Sequence, residues 1–221
     1  MISFIPNMLT SLNLIFGVIA IIYVMQGDFF TAALLIFGAM VADGLDGRVA
    51  RYFNVSGEFG KELDSLCDLV SFGVAPGLLA YKFLLEDLGL WGMLIAALFA
   101  TCGAMRLARF NVNVGIVKGY FMGVPIPAGG CTIATFSMME LKPPVWQFAL
   151  MVIVVAFLMV STIRYPDFKG KGEKFRLIPA VLALLAGVYV FYVGKLAAIL
   201  FVPFFVYILY GLLNAAFNLL N

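Results

Sequence analysis

Histidine is absent from this chain of 221 residues. Acid–base chemistry near neutral pH therefore falls to a carboxylate, a lysine, a tyrosine or a metal-bound group. Cysteine is scarce: Cys67, Cys102 and Cys131 each sit in an apolar stretch, without a CxxC pair. They read as small apolar packers, and neither a disulfide nor a zinc site is expected. Charge is scarce too. Only 12% of residues are charged and 64% are hydrophobic, whereas a soluble domain carries roughly a quarter charged. Lipid must cover much of this surface. The net charge of +2 is too small to suggest a nucleic-acid partner. No long polar stretch and no short-period repeat interrupts the chain, so residues 1–221 read as one domain.

What is present is a series of apolar segments. A helix needs about 20 mostly apolar residues to cross the hydrocarbon layer. Eight candidates lie near 8–26, 29–52, 62–83, 88–112, 124–140, 144–163, 176–194 and 196–217. The expected fold is therefore an all-α polytopic membrane bundle of about eight helices. No basic residue precedes the first apolar run and no small-residue cleavage site follows it, so that run is kept as structure. The fifth segment is interrupted at its start by Pro125, Pro127, Gly129 and Gly130.

The basic residues orient the bundle. With a cytoplasmic N-terminus, Arg48, Arg51, Lys61, Arg106, Arg109, Lys118, Arg164, Lys169, Lys171, Lys174 and Arg176 share one side, 11 of the 14 Lys and Arg. Lys82, Lys142 and Lys195 fall opposite. This positive-inside bias requires the fifth segment to cross and puts both termini in the cytoplasm.

Carboxylates inside membrane segments are expensive and mark function. Asp43 and Asp46 sit near the end of the second segment, spaced i, i+3; Asp64 and Asp68 open the third, spaced i, i+4. Each pair shares a helical face, and the turn around Asn54–Gly57 brings the faces together at the cytoplasmic end. Four converging carboxylates repel unless cations neutralise them. Oxygen-only ligands suit Mg²⁺ or Mn²⁺. Gly44, Gly47, Ala50, Gly57 and Gly60 leave room for a bulky ligand, and Arg51 can reach a phosphate. Metals plus an arginine around a polar pocket suit phosphoryl transfer. Solvated helix-end charges are one competing reading. A divalent-metal transporter is another, which calls for polar residues at mid-depth in several spans.

Residues 43–68 read DGLDGRVARYFNVSGEFGKELDSLCD. Asp43, Asp46, Gly47, Ala50, Arg51, Gly60, Asp64 and Asp68 match the pattern of the CDP-alcohol phosphatidyltransferase family, with none missing, and the chain resembles that family. The resemblance implies transfer of a lipid-linked phosphoryl group from a CDP-activated lipid to an alcohol. It implies metal binding by Asp43, Asp46, Asp64 and Asp68, two ions in number, with Asp68 also the catalytic base. Gly47, Ala50, Arg51 and Gly60 inherit contacts with the CDP-lipid, and a homodimer is implied.

The opening PNMLT (residues 6–10) with Asn13, and the segments MRLARFNV (105–112), FMGVPIPAGG (121–130) and STIRYPDF (161–168), resemble membrane-embedded phosphatidylserine synthases. That resemblance implies CDP-diacylglycerol, or a CDP-activated ether lipid, as donor and L-serine as acceptor. Inositol phosphate, glycerol phosphate and amino alcohols are the other acceptors. Serine has a carboxylate that needs a cation. Arg106 and Arg109, i, i+3 near the cytoplasmic end of the fourth segment, are the candidates; Arg164 and Lys118 are further ones, with topology-setting charge the competing role. Asn7 and Thr10 lie along one side of the first helix, either capping it or touching the CDP group. Ser65 and Ser71 read as packing or supporting residues, and Pro76 with Gly77 as a bend.

Overall fold

The computed structural model describes residues 4–53, 57–113, 120–139, 141–166, 177–194 and 198–220. Asn54, Lys118, Lys169, Lys171, Lys174, Arg176 and Lys195, named above for topology or the site, lie outside the described residues. Among those described, eight helices run in order: α1 Phe4–Gln26, α2 Phe29–Phe53, α3 Glu58–Phe83, α4 Leu90–Asn113, α5 Ile126–Ser137, α6 Val145–Val160, α7 Leu177–Gly194 and α8 Phe201–Leu220. Five of them, α1 to α4 and α7, are long and apolar enough to cross a membrane; α6 and α8 are shorter apolar helices. Exposed apolar side chains such as Ile15, Leu94, Leu150, Leu184 and Val188 present the surface that lipid would cover.

One dipeptide makes the first hairpin. Gly27, at φ 80°, ends α1: its N–H reaches the Val24 carbonyl and the Asp28 N–H reaches that of Tyr23, the paired bonds of a left-handed helix stop. Asp28 then caps α2, its carboxylate accepting from the Thr31 N–H at 3.0 Å. With no linker to spare, α1 and α2 pack along each other, and the Asn7–Asn13 stretch lies beside the C-terminal half of α2.

The third helix changes gauge midway. Residues Leu69–Val74, directly after Asp68, form a π-helical stretch, closed by the Ala75 N–H on the Val70 carbonyl. Pro76 cannot donate an α-type bond to Phe72. Gly130 of α5 lies against that Phe72 carbonyl, where a Cβ would stand 2.6 Å away. A widened turn thus precedes Pro76, where the sequence led us to expect a bend.

The fifth segment is 12 residues of helix, about 18 Å at 1.5 Å per residue, well short of the roughly 30 Å hydrocarbon layer. It is enclosed: Ile126, Gly129 to Thr135 and Ser137 are buried. Before it the chain is extended, and its backbone is satisfied internally, as membrane depth demands. The Gly123 N–H bonds the Ile163 carbonyl at 2.8 Å and the Val124 N–H that of Leu158 at 3.1 Å. Two three-residue strands, β1 Tyr120–Met122 and β2 Arg164–Pro166, pair antiparallel at the same end. This small sheet is the one non-helical element that the all-α expectation missed among the described residues.

Arg109 ties this junction together. Its guanidinium donates to the carbonyls of Met122 (2.9 Å), Met159 (3.2 Å), Val160 (2.7 Å) and Ser161 (2.9 Å). Three of these belong to the C-terminal end of α6, where unpaired carbonyls and the helix dipole both favour a cation. Gly123 passes beneath at φ 78°, with no room for a Cβ against the Met159 carbonyl. The end of α4, the entry to α5 and the end of α6 are thereby held at one level.

Candidate active site

The end of α2, the first turns of α3 and the start of α1 meet at one end of the bundle. Ligand oxygens of Asp43, Asp64 and Asp68 lie within 4.8 Å of one another. Asp46, expected with them, is turned to α1 instead: Thr10 gives its hydroxyl proton to Asp46 Oδ2 at 2.5 Å. The i, i+3 spacing puts Asp43 and Asp46 on one face, but their side chains diverge toward different neighbours. Asp46 and Asp68 are the buried pair, each 6% exposed, and Asn13 donates to Asp68 Oδ1 at 3.0 Å.

The helix-start residues of α1 act as a row. Asn7, Thr10 and Asn13 recur every three residues, so successive turns meet Gly60, Asp46 and Asp68. None of them is a cap, because α1 begins at Phe4. Asn13 is completely buried, and the Ser71 hydroxyl donates to its backbone carbonyl at 2.9 Å. That contact gives Ser71 a supporting role. Its Oγ sits where a Cβ on Gly17 would collide, so the glycine lets α1 and α3 close up.

A cleft of about 520 Å³ opens beside the aspartates. Asn7, Thr10, Gly47, Ala50, Arg51 and Gly60 all line it, together with Asp46 and Asp64. Every residue that the sequence assigned to the CDP-lipid is in this one cleft. Pro6, Gly57 and Lys61 also line it and were not assigned. Lys61 reaches the Asn111 carbonyl at 2.9 Å, and the Asn111 side chain donates to Ser65 Oγ at 2.9 Å, closing α3 onto α4. Only a basic residue one turn before Asp64 signalled Lys61, and topology explained it sufficiently.

The two arginines part company. Arg109 is spent on the four carbonyls of the junction, away from the aspartates. Arg106 is 7% exposed, lies with its guanidinium over the Phe110 ring at 5.2 Å, and stands within electrostatic reach of Asp68 and Asp43. Among the described residues its guanidinium donates no hydrogen bond. A buried cation with free donors beside an acidic cluster can bind an anion.

Among the described residues Asp64 Oδ1 is buried with no hydrogen-bond partner. An orphaned carboxylate oxygen among two further carboxylates fits a hard divalent cation, and the donor set is all oxygen. Asp43, Asp64 and Asp68 can therefore hold a metal ion.

The sequence profile of the CDP-alcohol phosphatidyltransferase family matches residues 3–220. The chain is 36% identical over 219 residues to the CDP-diacylglycerol–serine O-phosphatidyltransferase of Helicobacter pylori, covering 96% of this chain and 91% of that protein. It is 38% identical over 167 residues to the enzyme of that name from Bacillus subtilis, covering 76% and 92%. It is likewise 38% identical over 170 residues to an archaetidylserine synthase of Methanothermobacter thermautotrophicus, covering 76% and 71%.

Proposed function

Because the chain belongs to the CDP-alcohol phosphatidyltransferase family, we propose that it is a membrane-embedded serine transferase, acting on CDP-diacylglycerol or its ether-lipid counterpart. The observation that carries this reading is the convergence of Asp43, Asp64 and Asp68 beside a cleft lined by all six residues assigned to the donor. In this proposal Asp43, Asp64 and Asp68 hold two divalent ions, Mg²⁺ or Mn²⁺, together with the Asp46 oxygen that Thr10 does not hold. Such ions supply charge neutralisation at the donor pyrophosphate. Asn7, Thr10, Gly47, Ala50 and Gly60 shape the nucleotide side of the cleft, and Arg51 with Lys61 meets the phosphates. Arg106 takes the serine carboxylate. Asn13 holds one oxygen of Asp68, which leaves the other to receive the serine hydroxyl proton. The freed oxygen attacks the phosphorus attached to the lipid, the new P–O bond forms, and the bond to CMP breaks.

Purified protein given CDP-diacylglycerol, Mn²⁺ or Mg²⁺ and a panel of labelled alcohols should convert L-serine in preference to inositol phosphate, glycerol phosphate and amino alcohols. Preferential use of any other acceptor would retire the serine reading and keep the chemistry.

The proposal includes eight crossings, both termini and the site on the cytoplasmic side, and a homodimer. Alternation of α4, α5 and α6 supports it, since Arg109 sets the end of α4, the entry to α5 and the end of α6 at one level. The exposed apolar side chains of α7 suit lipid or a second copy. The native cysteines are all buried, so the labelling background is low. Cysteines introduced at Asn54 and Lys171 should react with an impermeant reagent from the cytoplasmic side only. Labelling of either from outside would overturn the orientation.

A further inference from the structure

Buried polar atoms without partners are rare, and each one asks what it serves. One lies away from the aspartates. Tyr165 of β2 is fully buried, and among the described residues its hydroxyl has no hydrogen-bond partner. Strand pairing with Phe121 fixes its backbone. Its ring lies against Gly211 of α8, where a Cβ would not fit, and 5.4 Å from the ring of Tyr207. Tyr207 in turn is within electrostatic reach of Arg106, which faces Asp68 and Asp43. A second orphan, Asn214 Oδ1, is buried on α8. Residues 207, 211 and 214 share a helical face, so Asn214 Oδ1 lies on the same wall of α8 that packs against Tyr165. Were packing its only duty, phenylalanine would serve better than tyrosine at 165, because an unpaired buried hydroxyl destabilises a fold.

We infer that Tyr165 is a specificity-determining residue of the acceptor subsite, its hydroxyl donating to the anionic group held by Arg106. The inference rests on the serine reading above and adds a residue from β2 to it. The ligand class is a small amino acid with a free carboxylate, and the wall of α8 closes around it.

The test compares Tyr165→Phe with the wild type, both purified in detergent. Serine turnover by the wild type is measured first: its absence sinks the acceptor reading, and this inference with it. Given turnover, the Phe variant should unfold at the same temperature as the wild type or higher. Its KM for L-serine should rise about tenfold while KM for the CDP-lipid stays unchanged. With CDP-lipid bound, L-serine should also raise the melting temperature of the wild type more than that of the variant. An unchanged KM for serine overturns the inference. So does a variant that fails to fold or melts lower with both KM values raised, since the hydroxyl is then a structural group.

Discussion

Replacing Asp43 or Asp64 with Asn is expected to abolish transfer while the protein stays folded in detergent. The two carboxylates converge with Asp68 within 4.8 Å, and one Asp64 oxygen is buried without a partner among the described residues. An amide keeps the size of each side chain and removes the charge that a divalent cation needs. Metal-assisted charge neutralisation is worth several kcal/mol, so the loss should be on the order of a thousand-fold or more. Thermal unfolding without metal should be unchanged or improved, because removing one of three crowded acids relieves repulsion. EDTA should silence the wild type, and added Mg²⁺ or Mn²⁺ should restore it. Activity surviving both treatments would remove the metal site from the mechanism.

The second large effect concerns Arg106. Truncation to Ala should lower catalytic efficiency with serine far more than it weakens CDP-lipid binding. A charge-assisted, buried contact is worth roughly 1.5–3 kcal/mol, which is a ten- to hundred-fold loss. The wild type should also reject ethanolamine, which keeps the hydroxyl and ammonium of serine but leaves the guanidinium unpaired. Equal use of both alcohols would sink the carboxylate argument. A variant that lost CDP-lipid binding instead would place Arg106 in the donor site. The Arg109→Ala variant is a poor control for either, because its guanidinium carries the junction of α4, α5 and α6.

That contrast shows where the sequence stopped being legible. The spacing of Arg106 and Arg109 is a property of one helix, and it was read correctly as a shared face. Their partners are not local: the carbonyls that claim Arg109 come from residues 122 and 159–161, brought near by folding. The same holds for Asp46, whose neighbour Thr10 lies 36 positions away. The aspartates themselves were plain because two short spacings and one turn determine their meeting. The apolar runs placed both ends of α2 and α7 within a residue, whereas α8 starts five residues later than its run, α1 four earlier, and α3 likewise four earlier. Its first turn carries Glu58, Lys61 and Glu62, which a hydrophobicity argument leaves outside, though a helix continues past the lipid into water without penalty. Asn13 and Lys61 were visible as residues, yet nothing in the spacing said which acid or carbonyl each would meet.

The widened turn at Leu69–Val74 makes the active site sensitive to residue count as well as to residue identity. Ordinary helix advances about 100° per residue, so a turn holding one residue too many resets the compass bearing of everything beyond it. On one side of the turn the helix aims Asp64 and Asp68 at Asp43; on the other it aims Ala75, Leu79 and Phe83 into the core. A further residue inserted between 69 and 74 would find the turn already widened, and left unabsorbed it would swing those two bearings apart by about 100°. Lineages that share this chemistry should therefore tolerate many exchanges of side chain in that stretch and resist any lengthening of it.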